Sequence, residues 1–234
     1  MKVKWKIESD FPLGTQGKIY DVLGQRTIGK TKRVTWYKIT NDMGETCWFP
    51  EGYFEKCSKV VNLVIDHYDG GYQAGKYFRE LGHKKALCIA DNFICMDKKR
   101  IEGFRTAFEP GDTLRWQIPK TEKERMRFYE GKYPELLKSG VTAVFAVSDF
   151  YALEFMRFLQ GKGRRIPEDI QMIGFDDNMA SRESNPALTT IHQDAALRAK
   201  TAIECLEAMR DGLDYKAGIV LPVRLVKRES TRLL

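Results

Sequence analysis

The sequence predicts an α/β protein in which a doubly wound parallel sheet follows a small all-β, barrel-like domain. From about Val60, apolar runs alternate with stretches of helical periodicity, a pattern typical of parallel βαβ units. Up to about Cys57 the chain instead has short segments rich in β-branched and aromatic residues, separated by turn residues. We therefore expect a small β-domain over residues 1–57 and an α/β region over residues 58–234.

Short strands account for the first region. Residues 17–23 and 34–40 carry the β-branched and aromatic side chains that strands favour, and residues 45–49 begin another strand. The segment NDMG at 41–44 is a turn signal. Three or more such strands can close into a small barrel, which removes open sheet edges.

Apolar runs at 86–90, 142–147 and 170–174 predict the buried strands of the second region, and residues 116–119 predict a further strand. Between these runs, apolar residues recur at helical spacing. The stretches concerned predict helices over 70–81, 100–108, 122–137, about 152–161 and about 199–212. Glycine ends several of them, as expected of helix C-termini.

Polar residues directly follow three of the predicted strands, as Asp91-Asn92, Ser148-Asp149 and Asp176-Asp177. In doubly wound sheets, ligands bind beyond the carboxyl ends of the strands. Ser, Asp and Asn also cap helices and form turns, so each junction alone is compatible with a purely structural role. The three junctions on one sheet together predict a polar pocket.

Composition gives little indication of an enzyme. The chain has 234 residues and a net charge of +7 that is spread rather than clustered. No nucleophile elbow or phosphate-binding loop is present, and no carboxylates are paired by spacing for acid–base work. We therefore expect no catalytic residues and no cofactor.

Metal binding and membrane insertion are also not expected. His83 and His192 have no second histidine or cysteine at metal-ligand spacing. No apolar run is long enough to span a bilayer, and residues 1–8 alternate charged and apolar side chains, unlike a signal peptide. The sequence predicts a cytoplasmic protein with no metal site.

The second region contains a series of short motifs. In chain order they are VIDHYDGG (64–71), LGHKK (81–85), KRIEGF (99–104), AVFAVSD (143–149), IPEDI and GFDD (within 166–177), PALTTI (186–191), QD (193–194) and LVKREST (225–231). In type and in order, over residues 61–234, they resemble the effector-binding core of the LacI/GalR family of bacterial transcriptional regulators.

The resemblance implies a two-lobed, periplasmic-binding-protein-like fold that holds a small effector in the cleft between lobes. Matched by motif, Arg100 faces the effector from the first lobe, and Ser148, Asp149 and Asp176 face it from the second. This chemistry suits a sugar or similar polyol, because an arginine offers several donors and an ionised carboxylate accepts from two hydroxyls.

Three further residues belong to the predicted effector site. Phe150 or Phe175 would stack on an apolar sugar face, although packing in the core is an equally good interpretation for each aromatic ring. Gln193 lies where the chain returns between lobes, and lines either the effector or the hinge.

The first region departs from the family, whose members begin with a helix-turn-helix and most of the first lobe. Here the first lobe is incomplete, and residues 1–57 resemble a Src-homology-3-type barrel instead. Such a barrel would offer a groove for an extended or proline-rich peptide, or would simply use its aromatic residues as core. The candidate groove residues are Tyr20, Trp36, Trp48, Pro50 and Tyr53.

Three functional hypotheses remain open. The first is the ligand-sensing part of a LacI/GalR-type regulator, a homodimer that meets DNA only if a helix-turn-helix is supplied elsewhere. The second is a non-enzymatic adaptor, with a peptide-binding barrel and a dimerising α/β scaffold. The third, an extracytoplasmic sugar-binding protein, conflicts with the absence of a signal-peptide pattern and with the regulator-like segment LVKREST.

Overall fold

The computed structural model describes residues 2–5, 19–28, 34–41, 46–50, 54–57, 61–91, 95–211, 213, 216 and 218–232. The chain divides into two compact units, one of Met1–Leu63 with Thr201–Ile219 and one of Val64–Lys200 with Val220–Leu234. The predicted domain boundary at residues 57 and 58 stays a prediction.

The smaller unit contains two three-stranded antiparallel sheets. In the first, β1 (Lys2–Trp5) lies between β2 (Ile19–Asp21) and β6 (Phe54–Cys57). In the second, β4 (Val34–Thr40) lies between β3 (Gly24–Ile28) and β5 (Thr46–Pro50). Strands β1, β3 and β6 were not predicted, and the residues of β3 include few strand formers. Most of the predicted turn, residues 42–44, lies outside the described residues.

Side chains alternate across β4, as expected of a strand with one buried face. Tyr37 and Ile39 are fully buried and pack with Phe49 of β5. Trp36 lies on the opposite face of the strand, where Arg26 of β3 stacks on it and on Trp48. The strand therefore separates a small apolar core from an aromatic face.

The larger unit has a six-stranded sheet in the order β14-β12-β11-β10-β8-β9. Its strands are β8 (Lys85–Ala90), β9 (Asp112–Gln117), β10 (Ala143–Ala146), β11 (Gln171–Asp176), β12 (Thr189–Gln193) and β14 (Val223–Val226). Every neighbouring pair is parallel except β12 and β14. The winding reverses between β8 and β10, which is the position where doubly wound sheets bind ligands. The predicted fold class is confirmed.

Helices connect these strands. They are α1 (His67–Glu80), α2 (Cys95–Phe108), α3 (Glu122–Ser139), α4 (Asp149–Gly161), α5 (Met179–Glu183) and α6 (Ala195–Arg210). Two remaining strands, β7 (Asn62–Ile65) and β13 (Gly218–Leu221), pair with each other. Within the described residues, no helix is long and apolar enough to cross a membrane.

The predicted elements differ from the observed ones mainly at their ends. Helix α1 begins three residues before its predicted start, because the Asp66 side chain accepts a hydrogen bond from the Asp69 backbone and caps it. The strand predicted at 116–119 is β9, which begins and ends earlier. Ile118 is buried just beyond it, where its N–H donates to the Ala90 carbonyl.

Candidate functional site

Polar side chains gather at the carboxyl edge of the sheet, where β8, β10, β11 and β12 all end. Asp91 follows β8, Ser148 and Asp149 follow β10, and Asp176 ends β11. Gln193 ends β12 and donates from Nε2 to Asp176 Oδ1 at 2.5 Å. The strand ends thus bring together the residues that the sequence analysis placed on separate junctions. Asn92, the partner of Asp91 in that analysis, lies outside the described residues.

Arg100 reaches this edge from the first half of α2 and is held there by three other elements. Its Nε donates to Nδ1 of His67 on α1 at 3.1 Å, and NH1 donates to the carbonyl of Val147, just after β10. Its guanidinium carbon lies 3.7 Å from the centroid of the Phe175 ring on β11. The residue is only 8% exposed, and burial lowers the pKa of Arg100 despite the nearby carboxylates of Asp176 and Asp97.

Close packing of α1 on α2 sets the position of the Arg100 backbone. A β-carbon on Gly71 would lie 1.8 Å from the Arg100 carbonyl oxygen, and one on Gly103 would lie 2.0 Å from the Tyr68 carbonyl oxygen. Only glycine allows two helix backbones to approach this closely. The glycines of the VIDHYDGG and KRIEGF motifs therefore set the position of the Arg100 backbone relative to α1.

Asp176 faces Arg100 across the site, with 4.0 Å between its Oδ1 and NH2 of Arg100. Burial raises the pKa of Asp176 to about 6, and the positive charge of Arg100 limits the rise. The backbone is strained here, because Asp176 has a φ of 126° and Asp177 a φ of 56°. Such conformations in residues other than glycine persist where surrounding contacts hold them, often at functional sites.

Asp177 supplies the contacts that hold this strained turn. Its buried carboxylate accepts from Arg182 on α5, from Arg228 beyond β14, and from Nδ1 of His192 on β12 at 2.7 Å. Burial favours the neutral acid, but these hydrogen bonds outweigh it and keep the pKa of Asp177 below its usual value. The carboxylate therefore ties three elements to the end of β11.

Asp149 and Ser148 have their oxygen atoms engaged by the protein. Asp149 is fully buried and accepts from Thr190 Oγ1 at 2.5 Å and from the Asn178 backbone at 3.0 Å. Burial raises the pKa of Asp149. Ser148 caps α4 by accepting from the Tyr151 backbone at 3.3 Å. Direct contact of Asp149 or Ser148 with an effector stays a prediction. These hydrogen bonds do not favour it, because they already engage the oxygen atoms of both side chains.

The two candidate stacking residues lie in different surroundings. Phe175 is fully buried beneath Arg100, as the packing interpretation requires, whereas Phe150 is 58% exposed at the start of α4. Phe150 also lies over the guanidinium of Arg125. Of the two rings, Phe150 is the one that a ligand can reach directly.

A cavity of about 260 Å³ opens beside Asp176 and Gln193. Its other walls are Ile65, Asp194, Ala195 and Arg198. The volume is slightly below the usual range for pockets that bind small molecules. Arg198 was not predicted as a wall of the cavity. His67, which contacts Arg100, was not predicted either, and its only signal was its place in the VIDHYDGG motif.

The remaining residues singled out from the sequence are His83 and the groove candidates within residues 1–57. His83 is buried and its Nδ1 pairs with Thr142 Oγ1 at 2.8 Å. Of the groove candidates, Trp36 and Trp48 share the face on which Arg26 stacks, whereas Tyr53 and the side chains of Tyr20 and Pro50 lie outside the described residues. Among the residues described, no cluster of three or more His, Cys, Asp or Glu is arranged to hold a metal ion.

A mostly parallel, doubly wound sheet with charged residues at its carboxyl edge beside the switch point is typical of domains that bind a small ligand there. The family of periplasmic binding protein-like domains matches residues 76–231. The chain is 34% identical over 181 residues to the HTH-type transcriptional regulator DegA of Bacillus subtilis, and 31% identical over 202 residues to the transcriptional repressor PurR of Vibrio atlanticus. These matches cover 72% and 80% of the chain.

Solved structures give the same result. A LacI family transcriptional regulator from Enterococcus faecium with bound ribose is 31% identical, with a TM-score of 0.66 over 77% of this chain and 68% of that one. A periplasmic binding protein/LacI transcriptional regulator from Alkaliphilus metalliredigens, complexed with D-xylulofuranose, is 25% identical with a TM-score of 0.64, over 74% of this chain and 66% of that one. The chain belongs to the LacI family of periplasmic binding protein-like domains.

The chain spans about half the length of the curated relatives it matches, 51% of DegA and 56% of PurR. Those relatives are transcriptional regulators.

Proposed function

We propose that this chain is the effector-sensing part of a LacI/GalR-type transcriptional regulator. It binds a small, sugar-like effector at the carboxyl edge of the sheet, and effector binding controls transcription. One observation carries the proposal: Arg100 and Asp176, from opposite sides of the switch point, face each other, and Asp176 also lines an open cavity. Ribose and D-xylulofuranose bound to related proteins support the choice of ligand class.

The pairing of one guanidinium with one carboxylate suits a polyol chemically. Arg100 uses Nε and NH1 on His67 and Val147, and its other amino group, NH2, points toward Asp176. Asp176 accepts from hydroxyl groups, while NH2 of Arg100 donates to them. The larger unit therefore supplies one wall of the effector site, and the interlobe cleft itself remains part of the proposal.

Control of transcription also requires a second copy of the chain and DNA. We propose a cytoplasmic homodimer that meets DNA through a helix-turn-helix supplied elsewhere. Coupling of the effector to DNA binding requires two states of this dimer with different effector affinity. Light scattering coupled to size-exclusion chromatography tests the dimer. A mass of one chain at micromolar concentration would remove it.

Thermal unfolding against a panel of sugars, sugar phosphates and nucleosides tests the effector directly. Binding to the folded state stabilises it by about 2.7 kcal/mol at a hundredfold excess over Kd. We expect a specific rise in Tm with a pentose or hexose. A cooperative transition that no compound moves would contradict the proposal.

A second function is favoured by the aromatic face of the smaller unit. Trp36 and Trp48 flank Arg26, whose guanidinium carbon lies 4.3 Å from the Trp48 ring. Grooves lined by aromatic side chains bind proline-rich peptides in small β-barrel domains. Tryptophan fluorescence during titration with a proline-rich peptide tests this adaptor function, and an unchanged spectrum in the wild type would contradict it.

A further inference from the structure

His67 lies at the first position of α1, under the site and only 8% exposed. Its Nδ1 lies 3.1 Å from Nε of Arg100, and its ring centroid lies 6.3 Å from that of Phe175. No role for this residue was predicted from the sequence.

The chemistry of this contact fixes the state of the His67 ring. An arginine side chain is always protonated in proteins and can only donate, so Nδ1 of His67 must carry a lone pair. The ring is therefore neutral, with its proton on Nε2. A ring protonated at Nδ1 would place two N–H groups against each other in a buried position.

The contact also restricts the Arg100 side chain. His67 holds Nε, the Val147 carbonyl holds NH1, and Phe175 covers one face of the guanidinium. Together these contacts leave NH2 directed toward Asp176. The close approach of α1 and α2 at Gly71 keeps the backbones of His67 and Arg100 near each other.

We propose that His67 is a positioning residue for effector recognition, holding the Arg100 guanidinium in the orientation that presents NH2 beside Asp176. The inference rests on the proposed effector site, and it adds that the affinity of the site depends on an acceptor at the position of Nδ1. Positioning before binding favours affinity because the effector does not then need to order the arginine.

Two variants separate the acceptor from the bulk of the side chain. His67→Asn places an amide oxygen near the position of Nδ1, whereas His67→Leu keeps comparable volume and removes the acceptor. For D-ribose as probe, we expect His67→Asn to bind like the wild type and His67→Leu to bind about ten- to a hundredfold more weakly, because a buried charged donor is left unpaired. Equal affinities in all three proteins would overturn the proposal.

Nitrogen-15 NMR of the ligand-free wild type provides a test that does not depend on an effector or on the folding of a variant. We expect His67 to show an unprotonated Nδ1 at neutral pH, and Arg100 to show an Nε–H protected from exchange. A ring protonated on Nδ1, or an Arg100 Nε–H that exchanges freely, would overturn the proposal. If no sugar binds while both signals are as expected, the effector proposal fails and the positioning of Arg100 by His67 stands.

Discussion

The guanidinium carbon of Arg100 lies 3.7 Å from the centroid of the buried Phe175 ring. A cation over an aromatic face is attracted to it, most strongly where water is excluded. The relationship explains how a charge that is only 8% exposed is retained at the centre of the site. It also makes Phe175 a support for Arg100.

Phe175→Leu should lower the free energy of unfolding by about 2 kcal/mol, because packing and the cation–π contact are both reduced. Effector affinity should fall as well, since Arg100 loses its support. Urea denaturation and sugar titration measure the two effects. Phe145→Leu is the matched control, because Phe145 is equally buried but stacks on Phe104 instead of on a cation. If both variants weakened binding equally, Phe175 would have no special role.

Asp176→Asn should abolish effector binding while raising stability at neutral pH by about 1 kcal/mol, a figure that allows for solvent screening of a side chain that is 38% exposed. The pKa of Asp176 is raised to about 6 by burial, despite the charge of Arg100. Between about pH 6 and pH 3.8, Asp176 is therefore mostly protonated in the folded protein and mostly ionised in the unfolded chain. Wild-type stability gains from this site as pH falls toward 4.

The difference in stability between the wild type and Asp176→Asn should accordingly be largest above pH 6 and vanish near pH 4. Wild-type effector affinity should decline below pH 6, because the ionised carboxylate is the better acceptor. Chemical denaturation over this pH range measures the first effect and titration calorimetry the second. A stability difference that does not change with pH would contradict the assignment.

Gly71→Ala should destabilise the larger unit by more than about 2 kcal/mol and weaken effector binding, because its β-carbon would lie 1.8 Å from the Arg100 carbonyl oxygen. Gly131→Ala is the control within α3, where an added β-carbon meets nothing within 4 Å. That change should stabilise the protein by about 0.5–1 kcal/mol through helix propensity. Thermal unfolding distinguishes the two, and equal melting temperatures would show that α1 and α2 can separate.

Glu154→Gln should cost about 3–5 kcal/mol, because it leaves the guanidinium of Arg125 buried without its counter-charge. The Arg125 side chain is 4% exposed, and both nitrogens that face Glu154 lie 2.7 Å from its oxygens. Glu135→Gln breaks the exposed pair with Lys132 and should change stability by less than about 1 kcal/mol. Denaturant unfolding of both variants provides the comparison. A small effect of Glu154→Gln would mean that water reaches Arg125.

The strands β8, β10 and β11 could be predicted from the sequence because each is a run of apolar residues. Strand β12 could not, since its first residues are threonines. Their hydroxyls are buried on partners distant in sequence, as Thr189 pairs with Thr231 and Thr190 with Asp149. From the sequence alone, a polar residue is expected to be exposed, because its buried hydrogen-bond partner is not known.

Some residues of the candidate site could likewise be predicted from the sequence, and others could not. Asp176 was predictable because parallel strands bring their carboxyl ends to one edge, and the family motifs place Arg100 opposite it. The burial of Asp149 and Phe175 was not, because it depends on the packing of neighbouring strands and helices. The role proposed for His67 rests on a contact with a residue 33 positions away, which no local pattern encodes.

Isothermal titration of the wild type, Asp176→Asn and Asp112→Asn with D-ribose, and with any sugar that raises Tm, tests the central claim most directly. Asp112 is an exposed carboxylate at the opposite, amino end of the sheet and serves as the control. The account predicts saturable binding of one sugar to the wild type and to Asp112→Asn, and none to Asp176→Asn. Binding that survives in Asp176→Asn would contradict an effector site at the carboxyl edge of the sheet.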